Sequence, residues 1–196
     1  MAITSSVNSF LQSVQQGVRP NLFLASFIWP TTTQTGFLTG TDVELTNLLC
    51  KSAALPASQL GVIEIPFRGR TVKVAGDRTF DTWTATFIND REFKIRNGME
   101  KWMQAINAHE ANTAALSAPS NNTGYTADIL IQQLDRDASA GGNVIRTYKL
   151  WGCFPTNVSQ IDLAYDSNDQ IEDFTVEFQL QYWTSGAGTS TNGSIV

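Results

Sequence analysis

A chain of 196 residues that is 42% hydrophobic and only 16% charged has enough apolar residues for a core of its own, without disulfides or a structural metal. Its charged share lies below the roughly 25% of an ordinary soluble domain, which suggests that part of the surface is covered, for example by other copies of the chain. Thirteen Lys and Arg against eighteen Asp and Glu leave a net charge of −5, which argues against a protein that grips nucleic acid, because that grip rests on cations against phosphates.

In chain order, residues 5–16 predict a short amphipathic helix, with Val7, Phe10, Leu11 and Val14 on one face. This N-terminus lacks the basic start and continuous apolar run of a secretory signal. No apolar run long enough to span a bilayer occurs, so the expectation is a protein folded in a cytoplasm. Residues 21–29 are apolar on both faces and suit a strand covered on both sides. Residues 43–52 predict the next strand. Residues 55–70 read as a long ordered loop, because Pro56, Gly61, Pro66 and Gly69 interrupt it while Leu60, Val62, Ile63, Ile65 and Phe67 anchor it.

Residues 71–75 predict a short strand, followed by a turn at Gly76-Asp77-Arg78 with the glycine at a special φ. In residues 82–88, Trp83, Ala85 and Phe87 alternate with threonines, the pattern of a half-buried strand. Asn89 and Glu92 have the spacing of a capping box. They would open a helix whose apolar face is Ile95, Met99, Trp102, Met103 and Ile106. Residues 108–126 read as a flexible loop. Strands are expected at residues 127–135, 144–151, 160–165 and 171–183, with a hairpin turn at residues 166–169. The predicted fold is a mainly antiparallel β-sandwich or barrel of about seven to eight strands with one flanking α-helix and a short N-terminal helix. Residues 1–183 form its single domain, and residues 184–196 are a mobile Gly/Ser/Thr tail.

The chemistry-bearing residues do not converge. His109 is the only histidine and has no partner at metal-ligand or triad spacing. Cys50 and Cys153 sit in apolar surroundings and read as buried free thiols of a reducing compartment. Nothing would orient His109 as a base for Cys50. Gly76-Asp77-Arg78 precedes a strand, so no helix N-terminus waits there for a phosphate. Asp135 and Asp137 flank Arg136 in what reads as a solvated turn, and residues 166–169 lack the spacing and closing Glu of a calcium loop. The expectation is no catalytic residue, no cofactor and no metal.

An ordered set of motifs does stand out: Arg19-Pro20-Asn21-Leu22-Phe23, then Ala54-Leu55-Pro56-Ala57, then VAGDRTFD from Val74 ahead of the Trp83 strand, with Asn89-Asp90 after it. Arg136-Asp137-Ala138, LWGCFPTNV from Leu150, Tyr165-Asp166-Ser167-Asn168, and FTVEF from Phe174 with Tyr182-Trp183 complete it. In this order the chain resembles, over residues 19–183, the tail tube proteins of contractile-tailed bacteriophages. The loops at residues 31–41 and 111–126 look longer than the family needs, and the tail after Trp183 looks like an addition.

The resemblance implies a non-enzymatic β-sandwich subunit. Hexameric rings would join sheets edge to edge and stack into a tube inside a sheath. DNA would pass through the bore without specific contacts, and no membrane partner is implied. The partners implied are the chain itself, the tail sheath protein, a baseplate tube initiator, a tail terminator and a tape-measure protein in the lumen. The place implied is the virion tail, assembled in the host cytoplasm. Ring closure would remove exposed strand edges, and an acidic bore would let DNA slide. The candidate ring-stacking residues are Leu55, Pro56, Leu60, Ile63, Ile65, Phe67, Arg68 and Arg70. The candidate turn or subunit contact is Gly76, Asp77 and Arg78. Two other readings are the tube of an injection system that delivers proteins and a carbohydrate-binding sandwich, although Trp83, Trp102 and Trp151 read as core.

Overall fold

The computed structural model describes residues 17–30, 40–114, 124–135 and 144–187, together with Val7, Phe10 and Leu11. Among these residues lie nine strands: β1 (Phe23–Phe27), β2 (Cys50–Ala53), β3 (Ser58–Phe67), β4 (Arg70–Phe80), β5 (Trp83–Ile88), β6 (Ala127–Leu134), β7 (Val144–Val158), β8 (Asp173–Gln179) and β9 (Tyr182–Ala187). Two helices accompany them, α1 (Gly40–Leu48) and α2 (Lys94–Ile106). Every strand pair is antiparallel.

One sheet runs β1-β6-β7-β8-β5-β2, with β9 also paired to β7, and it folds over on β7. The first half of β7 lies between β6 and β9, with Leu150 opposite Ile129 on one side and Trp183 on the other. Its second half pairs with β8, with Pro155 opposite Phe178. Between the halves, Gly152 takes φ 61, a region open to glycine at low cost. Its N–H donates to Asp128 Oδ1 at 3.3 Å.

The chain crosses between layers a second time at residues 180–181. There the Gln181 N–H donates to the Trp151 carbonyl at 3.0 Å and Leu180 is buried. The expected single strand over residues 171–183 is therefore two strands, one in each layer.

The inward alternation of both layers makes the core. Phe27 of the first layer meets Phe87 of the second at 5.3 Å and Phe178 at 6.1 Å between ring centroids. Trp83, Ala85 and Phe87 point inward as expected. Helix α2 packs on the same core with Ile95, Gly98, Met99, Trp102 and Ala105, while Met103 and Ile106 are half-buried. The indole N–H of Trp102 donates to the Tyr125 carbonyl at 2.7 Å.

Several expectations are corrected. Residues 43–52 are not one strand but α1 followed by β2. Their short apolar run fits either period, and docking decides it: Thr46 is buried, and Asn47 Oδ1 accepts from the Phe27 N–H at 2.9 Å. The capping box does not form. Helix α2 starts after Phe93, which has φ 54 and no side-chain cap. The Asn89 amide donates to Glu172 Oε2 at 3.0 Å, and Glu92 pairs with Lys94 at 2.8 Å.

Residues 160–165 form no strand; residues 159–172 are an irregular loop, with Asp169 at φ 60. Strand β7 continues past Trp151 to Val158, and β9 runs to Ala187. Within the expected N-terminal helix, Val7, Phe10 and Leu11 are helical and exposed; its other residues lie outside the described ones. So do residues 31–39, 115–123, the Arg136-Asp137-Ala138 motif and residues 188–196.

Candidate assembly surface

The expected loop over residues 55–70 and the expected turn at Gly76-Asp77-Arg78 belong to one object, the β3–β4 hairpin. Its tip is a two-residue connection between Phe67 and Arg70, with Arg68 at φ 45 and Gly69 at φ 80. Positive φ at both central residues is the hairpin turn whose twist matches the strands.

Gly76-Asp77-Arg78 is not a turn. The register moves from Leu60 opposite Arg78 to Val62 opposite Ala75, so Gly76 and Asp77 together face Gly61 as a β-bulge. Gly76 has no positive φ. What it requires is space: a Cβ there would lie 3.1 Å from the Gly61 carbonyl carbon and oxygen. Arg78 sits in β4, exposed.

Every residue of β3 is exposed, and nearly all of β4. The two faces of this arm differ. Ile63 lies opposite Val74, Ile65 opposite Val72 and Phe67 opposite Arg70, so alternation puts Ile63, Ile65, Phe67, Val72 and Val74 on one apolar face. The other face carries Glu64 paired with Lys73 at 3.5 Å, beside Pro66 and Thr71. Leu60 and Val62, both exposed, are also on this second face, while Leu55 and Pro56 sit at the root.

Among the described residues, hydrogen bonds hold the arm at its root. Trp83 Nε1 donates to the Ala54 carbonyl at 2.6 Å, Trp183 Nε1 to the Ala57 carbonyl at 3.0 Å, and Gln59 Nε2 to Asp81 Oδ2 at 3.1 Å. A two-stranded hairpin with no cover is marginal in water. At the tip the Arg68 guanidinium lies 5.4 Å from the Phe67 ring centre.

The opposite end of β5 and β8 carries the loop of residues 159–172. Ile88 lies opposite Asp173, and the Asn89 N–H donates to the Glu172 carbonyl at 2.9 Å. Arg96 Nη1 donates to the Ser159 carbonyl at 3.1 Å. The loop borders an open groove of about 790 Å³, and its Leu163, Tyr165 and Ile171 are exposed.

The sequence expectation named Ile63, Ile65 and Phe67, which the structure places exposed on one face of the hairpin; Val72 and Val74, on the same face, were not among the residues named. The signal was present in the alternation on both sides of Arg68-Gly69. It missed Leu163 and Ile171 because it placed them in strands.

Among the described residues, no cluster of His, Cys, Asp or Glu could hold a metal. His109 is exposed. Both cysteines are free thiols; burial pushes Cys50 up to about 12, and burial first and the Asp128 charge second push Cys153 higher still. Asp128 is buried against Lys149 at 3.3 Å, and the Lys149 ammonium lies 3.5 Å from the Trp151 ring centre. Trp83 and Trp102 are core as expected, but Trp151 is half-buried and stacks on Tyr182. No described helix is long and apolar enough to cross a membrane.

Comparison with known proteins places these features in a lineage. The family described as phage tail tube protein matches residues 18–185. The tail tube protein gp19 of Enterobacteria phage T4 is 37% identical over 134 residues, covering 68% of this chain and 78% of gp19. Among solved structures, the tube-terminating cap of the anti-feeding prophage superposes with a TM-score of 0.61 at 18% identity, covering 95% of this chain and 99% of that one. The sheath/tube terminator of an extracellular contractile injection system, in its extended state, gives a TM-score of 0.59 at 15% identity, covering 87% and 97%.

Proposed function

This chain belongs to the phage tail tube protein family, and we propose that it works as stacked hexameric rings forming the inner tube of a contractile tail. The apolar face of the β3–β4 arm carries this reading: five large side chains, Ile63, Ile65, Phe67, Val72 and Val74, stand exposed. Burying each against another copy is worth on the order of 1–2 kcal/mol before the cost of association. The arm is the ring-stacking element, with Arg68 and Arg70 at its tip and the Gly76-Asp77 bulge setting its bend. Leu55 and Pro56 lie at its root, between the Ala54 and Ala57 carbonyls that Trp83 and Trp183 bond.

Strands β1, β2 and β9 each leave one edge without a strand partner among the described residues. Lateral closure of a ring covers such edges. The outer face of the second layer, with Thr84, Thr86, Thr175, Glu177 and Gln179, suits a bore. It offers hydroxyls, amides and a carboxylate, with few cations to hold a phosphate as DNA slides past.

The partners that follow are the sheath protein outside, a baseplate tube initiator at one end and a terminator at the other, with a tape-measure protein in the lumen. Assembly takes place in the host cytoplasm. The 37% identity to a phage tail tube protein supports a phage tail over a protein-delivering tube.

Negative-stain electron microscopy of the purified chain over a concentration series is the test, repeated with a baseplate initiator. Hollow tubes or six-fold rings are expected. A monomer under all conditions, initiator included, would overturn the reading.

A further inference from the structure

We infer that the arm of one copy seats on the loop of residues 159–172 of the next copy along the stack, a head-to-tail contact that rests on the ring-stacking role proposed above. Strand β5 sets the geometry. The arm ends at Phe80, just before β5 begins at Trp83. The loop ends where Ile88, the last residue of β5, faces Asp173. Six residues of strand separate the two by roughly 17–20 Å, so the root of the arm and the loop lie at opposite ends of β5. Two different surfaces at opposite ends of a strand make a heterologous contact, and repeating it extends a filament without limit.

The two surfaces match in charge. At the arm tip, Arg68 and Arg70 make no ion pair among the described residues, and Glu64 is already taken by Lys73. In the loop, Asp162, Asp166 and Asp169 face no cation among the described residues. The stretch 159–175 contains no Lys or Arg. Two guanidinium groups therefore meet three carboxylates, none of them in an ion pair among the described residues, a pairing that steers encounter and fixes register.

They also match in apolar surface. The arm brings its five-residue apolar face. The loop offers Leu163, Tyr165 and Ile171 beside its open groove. Each surface is an unsupported patch on a lone subunit, and each supplies what the other lacks.

The test introduces Arg68→Cys and Tyr165→Cys together and oxidises assembled tubes mildly. Cys153 is buried and Cys50 half-buried, so neither native thiol offers a ready partner. A ladder of covalent oligomers extending beyond the hexamer is expected on a non-reducing gel, and from neither single variant. Tubes that give no ladder, or a ladder that stops at the hexamer, would overturn the head-to-tail contact while leaving the tube reading intact. No tubes from the unaltered chain would count against the tube reading instead.

A second arm covers variants that fail to polymerise. Arg68→Glu with Arg70→Glu in one preparation, and Asp166→Lys with Asp169→Lys in another, should each lower tube yield at least tenfold. Mixing the two should restore it, because the reversed tips then meet reversed loops in alternate rings. A mixture no better than its components would refute the pairing.

Discussion

At Gly152 the backbone has φ 61, and a Cβ would come within 2.8 Å of Gln181 Cγ. Both penalties fall on the point where β7 changes layer. Gly152→Ala should therefore cost roughly 1–3 kcal/mol and lower the thermal midpoint of the unassembled chain by roughly 2–12 °C. Adding Gln181→Ala should recover the part owed to the clash and leave the part owed to φ, which separates the two causes in one calorimetric series.

The thiols make a second prediction at this scale. Cys50 has its folded pKa raised to about 12 by burial, above an unfolded value of about 8.5. The protonated thiol's contribution is complete below the unfolded value and is lost as pH climbs toward the folded one. The denaturation midpoint should fall between about pH 9 and pH 11, and at pH 8 a thiol reagent should label neither Cys50 nor Cys153 until the chain is unfolded.

Among the elements, the arm and the body should respond to mutation independently. Ile63 and Ile65 are exposed on the arm, so Ile63→Ser with Ile65→Ser should shift stability by less than about 1 kcal/mol while reducing tube formation at least tenfold. Unchanged melting with unchanged tubes would show that the apolar face of the arm is not an assembly surface.

The same division explains what could be read from the chain alone. Strand β5 was legible because Trp83, Ala85 and Phe87 each reach the core from one side of a short, strictly alternating segment. Helix α2 was legible through Ile95, Met99 and Trp102. The arm was half legible: the apolar residues of its first strand stood out as a sign of order, but Pro66 and Gly61 masked their alternation, because an edge hairpin tolerates residues that a central strand does not. Helix α1 was misread because VELTNLLC fits two periods and only the docking of Thr46 and Asn47 chooses between them. The break at Leu180-Gln181 was hidden for a different reason. The inward alternation runs from Phe174 to Leu180 without interruption, and the change of layer is dictated by the turn of β7 opposite.

On the scale of the whole molecule, the low charge share noted at the outset corresponds to a subunit that keeps large apolar side chains exposed in two places, on the arm and in the loop of residues 159–172. Such a chain is ill suited to a solitary life and well suited to one in which neighbours cover both. The central strand has a further consequence. β7 is one unbroken backbone of 15 residues that is a member of both layers. A force tending to slide one layer over the other cannot simply unzip hydrogen bonds at their boundary; it must stretch covalent backbone and shear the β6, β8 and β9 ladders together. The subunit should therefore behave as a stiff brick, and a tube built from it would flex at the joints between bricks rather than within them.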